Sequence, residues 1–91
     1  MSVSVKTLTI QNALDVKKKG LAAIDAGDFE VDLRNTSEVD SSAVSVLFAW
    51  ERYARKRGGS LQIAGMPQPL EALLRLYGVH PLFDSILVKR N

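Results

Sequence analysis

Phe29-Glu30-Val31-Asp32-Leu33, then Arg34-Asn35-Thr36-Ser37-Glu38, then Val39-Asp40-Ser41-Ser42-Ala43-Val44-Ser45-Val46-Leu47-Phe48-Ala49-Trp50, is the stretch on which the fold turns. Its first five residues alternate apolar and acidic, which predicts a strand with one covered face. Arg34 to Glu38 reads as a polar loop. From Ala43 to Trp50 only Ser45 is polar, so the first half of the following helix is enclosed on most sides, whereas Glu51-Arg52 and Arg55-Lys56-Arg57 predict a solvent-facing second half. Gly58-Gly59 ends that helix. Between strand and helix, Asp40-Ser41-Ser42 brings an acid and two hydroxyls to a helix entrance. Unpaired N–H groups and the positive end of the helix dipole favour anionic groups there. The corner is a cap or a switch.

Working outward, Val3, Val5, Leu8 and Ile10 with intervening polar residues predict a first strand, and Gln11 to Asp25 a helix. Leu14, Leu21 and Ile24, with Ala13 and Val16, form its expected core side, and Lys17-Lys18-Lys19 its wet side. Gly20 weakens this helix by about 1 kcal/mol relative to alanine, so packing must hold it. On the other flank, Leu61, Ile63 and Gly65 predict a strand and its exit. Pro67 opens a last helix in which Leu70, Leu73, Leu74 and Tyr77 recur at helical spacing until Gly78. The apolar tail from Val79 to Val88 folds back as a turn and short strand before Lys89-Arg90-Asn91. Residues 1–91 thus form one α/β domain, a small mixed sheet of about four strands covered by three main helices.

Composition narrows the function. The 91 residues are 46% hydrophobic, enough for one small domain but too few to enclose a large substrate cavity. Twelve Lys+Arg against ten Asp+Glu leave a formal charge of +2, which implies no nucleic-acid partner. With no cysteine there is no disulfide, thiolate metal site or thiol nucleophile. The start lacks the pattern of a signal peptide and no long apolar run occurs, so the expectation is a soluble cytoplasmic protein without direct membrane insertion.

Taken in order, Val31-Asp32-Leu33, the polar loop, Val39-Asp40-Ser41-Ser42, the apolar helix, Gly58-Gly59-Ser60-Leu61-Gln62-Ile63 and Leu70-Glu71-Ala72-Leu73-Leu74-Arg75-Leu76-Tyr77-Gly78-Val79 resemble a STAS domain. This is the module of anti-sigma-factor antagonists and of sulfate-transporter C-terminal regions. Ser42-Ala43-Val44 leading into Leu47-Phe48-Ala49-Trp50, Met66-Pro67, and Leu76-Tyr77-Gly78-Val79 are similar to one branch, the small STAS subunit of the Gram-negative phospholipid-transporting ABC (Mla) system. Antagonists usually carry a glycine where this chain has Ala43.

The resemblance implies a non-catalytic subunit on the cytoplasmic ATPase of a transporter that maintains outer-membrane lipid asymmetry, peripheral to the inner membrane through that partner. In this branch the position matching Ser41 carries the sensitive hydroxyl. The alternative it implies is an antagonist of an anti-sigma kinase, with phosphorylation at the position matching Ser42. The candidate partner-binding or regulatory residues are Glu38, Asp40, Ser41, Ser42 and Ala43, with Ser42 and Ser41 as candidate phosphorylation sites. No cofactor is implied.

Against both readings stands simple capping by Asp40. Trp50 belongs more naturally to the core than to an interface, and the basic end of its helix to solvent, where it complements the C-terminal dipole. His80 invites a serine triad, but no Gly-x-Ser-x-Gly elbow is present. One histidine and scattered carboxylates offer no metal-ligand spacing, and no phosphate-binding glycine loop occurs.

Overall fold

The computed structural model describes residues 5–76 and 87–89, in the order β1 (Thr7–Leu8), α1 (Ala13–Asp25), β2 (Glu30–Asp32), β3 (Glu38–Val39), α2 (Ser41–Lys56), β4 (Gln62–Ala64), α3 (Gln68–Leu76) and β5 (Leu87–Lys89). Every strand pairing among these residues is parallel: β1 with β3, and β2 with β4 with β5. Parallel neighbours require crossovers. Helix α2 lies in the connection from β2 to β4, and α3 in that from β4 to β5. The α/β architecture with three helices is the expected one, but the strands fall into two parallel groups instead of one mixed sheet. Glu38 and Val39 pair with Thr7 and Leu8, which turns the end of the expected polar loop into a strand. Such a pairing between distant residues leaves no local pattern to read.

Val31 and Ile63 sit opposite each other in register and both are buried. They share one core with Leu33, Leu47, Trp50, Leu70 and Leu74, in keeping with the alternation of residues 29–33 and with the apolar stripe of α3. Leu73 packs against this core while remaining half-exposed. Tyr77, Gly78, His80 and the tail through residue 86 lie outside the described residues. The short final strand is present as β5.

Three expectations need correction. Ile10 is no strand residue; it is 76% exposed in the turn that leads to α1. That turn is closed by Asn12, whose Oδ1 accepts the Thr9 N–H at 3.0 Å and whose Nδ2 donates to the Thr7 carbonyl at 2.7 Å, so β1 stops early and α1 begins at Ala13. Leu14 is not core either, being 64% exposed, because the buried face of α1 is Val16, Gly20 and Ile24. Gly20 is there for Trp50: a Cβ at this position would overlap the indole ring. The fully buried Trp50 in turn donates its indole N–H to the Lys17 carbonyl at 3.1 Å.

Third, Glu51 is only 8% exposed, not solvent-facing. Its carboxylate accepts the Leu61 N–H at 2.9 Å and the Arg55 Nε–H at 2.6 Å, so both charge and hydrogen-bonding capacity are answered inside the fold. This ties the second half of α2 to the entrance of β4. The helix itself ends at Lys56, and just beyond it Gly58 takes a φ of +89° while the Gly58 and Gly59 N–H groups cap the Arg55 and Ala54 carbonyls at 3.1 and 2.9 Å.

Candidate functional site

Asp40 leaves β3 with extended backbone, φ −131°, and caps α2 by accepting the Ser42 N–H on Oδ1 at 2.8 Å. The other oxygen, Oδ2, accepts the Ile10 N–H at 3.1 Å, while the Asp40 N–H donates to the Leu8 carbonyl at 3.3 Å. One side chain therefore closes the helix entrance and fastens the turn after β1 to it. The Ile10 N–H above all, then the Ser42 N–H and hydroxyl, outweigh desolvation and hold the Asp40 carboxyl below the usual carboxylate range. At neutral pH the corner carries a fixed negative charge.

The two serines differ. Ser41 is exposed, and its hydroxyl has no hydrogen-bond partner among the described residues. Ser42 is half-buried, and its backbone N–H is held by the Asp40 carboxylate at 2.8 Å. Ala43 is fully buried in the core, which removes it from the residues able to touch a partner directly: its methyl position is set by packing, not by recognition. Glu38 is exposed on β3, just ahead of the corner.

Residues that the amino-acid pattern did not single out also border this corner. Ile10, Leu14, Lys17 and Ser45 line, with Ser42, an open cavity of about 300 Å³ between α1 and α2. The available signal was Gly20: counting it with Val16 and Ile24 gives a complete buried stripe, which places Leu14 outside.

Chemically the corner offers hydrogen-bond donors, acceptors and one negative charge. Among the described residues no cluster of three or more His, Cys, Asp or Glu is arranged to hold a metal ion, and no helix is long and apolar enough to cross a membrane.

Comparison with known proteins agrees with this fold. No curated protein matches the chain significantly in sequence. A Thermotoga maritima protein assigned as an anti-sigma factor antagonist has a similar structure, with a TM-score of 0.77 at 17% identity over 99% of this chain and 78% of that one. The anti-sigma factor antagonist SpoIIAA in its unphosphorylated form is similar with a TM-score of 0.71 at 14% identity, over 99% of this chain and 76% of its own. At such identities the likeness is one of fold. Residues 6–88 match the family described as "Mlab, STAS domain", and with the parallel β–α–β order and the capped α2 entrance already in place, the chain belongs to the STAS domain family.

Proposed function

We propose that this protein is a non-catalytic STAS subunit that docks, through Asp40, Ser41 and Ser42 with Glu38 at the rim, on the cytoplasmic ATPase of an ABC phospholipid transporter that maintains outer-membrane lipid asymmetry. It sits at the inner membrane through that partner and needs no cofactor. The observation that carries this reading is the contrast between the serines: the exposed Ser41 hydroxyl is free of partners among the described residues, whereas Ser42 is half-buried against the helix entrance with its backbone N–H on Asp40. A neutral hydroxyl at the first turn of α2 donates to a partner carbonyl or carboxylate without disturbing the cap. The family description supports the transporter branch.

Affinity capture of the tagged protein from its native membranes tests this. Recovery of an ABC ATPase with its permease is the expected result, and loss of both upon Ser41→Glu places the contact at the corner. Capture without any ATPase overturns the reading.

The second reading, an anti-sigma-factor antagonist switched by a kinase, is favoured by the structural neighbours. It requires phosphate on Ser42. That modification sets about −1.5 to −2 charges beside an ionised carboxylate, a repulsion that the positive end of α2 must offset. Incubation with the candidate kinase and ATP, followed by mapping of phosphate to Ser42, selects this alternative.

A further inference from the structure

Helices α1 and α2 lie side by side and point the same way, since Leu14 shares a cavity with Ser42 while Leu21 shares another with Tyr53 and Lys56. Two separate open cavities lie along the seam between them, because Leu14, Lys17 and Leu21 of α1 and Ser42, Ser45, Ala49, Arg52 and Lys56 of α2 succeed one another at helical spacing, and this seam is the groove. At the serine end it widens to about 300 Å³ beside Ile10 and Leu14, and at the far end to about 490 Å³ beside Leu21, Ala49 and Arg52. From Ser42 to Lys56 the helix rise gives it a length of about 21 Å.

Two features of this groove are unusual for a solvated surface. Ile10 and Leu14, both large and aliphatic, are 76% and 64% exposed at its head. Lys17, Arg52 and Lys56 line its sides with no carboxylate within ion-pair distance among the described residues. The acids nearby are already occupied: Glu51 by Arg55 and the Leu61 N–H, Asp25 by the Tyr53 hydroxyl and Arg57, Asp15 by Lys19, and Asp40 by the Ile10 and Ser42 N–H groups. An apolar floor flanked by Lys17, Arg52 and Lys56, unpaired among the described residues, with Asp40 as the negative charge at the serine end, is complementary to an amphipathic helix whose acidic face lies toward Arg52 and Lys56.

We propose that this groove binds an acidic amphipathic helix of a protein partner, about 14 residues long. The proposal rests on the reading of the chain as a protein-docking module and names the kind of segment the partner presents. Concavity selects a helix over a lipid surface: the apolar atoms line depressions between two helices, which a cylinder fills and a flat bilayer bridges. Leu side chains at i, i+4, i+7 and i+11 of the occupant reach the floor, and Glu or Asp on its flanks meet Lys17, Arg52 and Lys56.

The test measures binding of a labelled synthetic helix, about 14 residues with Leu at those four spacings and Glu elsewhere, to the full chain by fluorescence anisotropy. The same peptide with Lys in place of Glu and anionic phosphatidylglycerol vesicles serve as competing probes. Leu14→Ser and Arg52→Glu, both at exposed positions, are expected to keep the circular dichroism spectrum and to weaken the acidic peptide at least about tenfold each. Arg52→Glu gains affinity for the Lys peptide. Equal binding of the two peptides to the native chain, indifference to both substitutions, or binding to vesicles but not to the acidic peptide overturns the proposal. Were the transporter ATPase to bind Leu14→Ser and Arg52→Glu as well as the native chain, the groove proposal would fall while corner docking stood. Were no ATPase captured and the peptide bound as described, the transporter assignment would fall and the groove would stand.

Discussion

The Asp40 carboxylate accepts the backbone N–H of Ile10 at 3.1 Å across a separation of 30 residues, while its other oxygen caps α2. The cap thus also joins α2 to the turn that presents Ile10 and the start of α1. Because this carboxyl titrates below its ordinary range, it contributes stability that is present above the unfolded-state pKa and is lost as pH falls through the lower folded value. Melting temperature followed from about pH 7 to about pH 2 should fall at the acid end, and Asp40→Asn should lower the neutral-pH melting point and flatten that acid dependence. An unchanged acid limb in Asp40→Asn would contradict this assignment.

Gly20→Ala sets two effects against each other. Helix propensity favours alanine by about 1 kcal/mol, but the new methyl overlaps the Trp50 indole, and overpacking a core costs about 1–3 kcal/mol. Net destabilisation is the expected outcome, read as a lower denaturation midpoint together with a shift in Trp50 fluorescence. An exposed-helix glycine would instead gain stability on the same substitution.

Glu51 is predicted to behave as an internal fastener. Glu51→Ala leaves the buried Leu61 N–H without its acceptor, a loss of about 1–3 kcal/mol, whereas Glu51→Gln keeps an acceptor oxygen and loses less. Hydrogen exchange at the Leu61 amide distinguishes the two variants, with protection falling further in the alanine protein.

Within α3, Leu74→Ala should cost about 2–5 kcal/mol and Leu73→Ala less, since Leu74 is fully buried and Leu73 half-exposed. Chemical denaturation of the two variants measures the difference directly. Neither residue is one of the corner residues Glu38, Asp40, Ser41 and Ser42, so partner binding by the folded fraction should stay intact.

Ser41→Glu should leave the melting temperature nearly unchanged, because an acid in the first turn of α2 is compatible with the helix dipole. Partner affinity should nonetheless fall by at least about tenfold, as a charge replaces a donor at the contact. Isothermal titration against the purified ATPase subunit provides the comparison, with Ser41→Ala isolating the hydroxyl.

What the amino-acid order determined by itself was everything carried by short-range chemistry: the alternation of Phe29 to Leu33, the Asp40 cap, the enclosed first half of α2, the glycine stop at Gly58 and the Leu70–Leu74 stripe. Propensity, periodicity and capping act over a few residues, so they are readable without coordinates. Only tertiary structure decided that Glu38 and Val39 pair with Thr7 and Leu8, that Glu51 turns inward to Leu61, and that Ile10 and Leu14 face solvent. The same is true of Ser41 and Ser42, identical in type and adjacent in sequence, one left exposed and the other half-buried with its N–H on Asp40. In each case the outcome depends on which distant group arrives to satisfy a backbone N–H or to cover a helix face, and in Gly20 the face belongs to Trp50, thirty residues along.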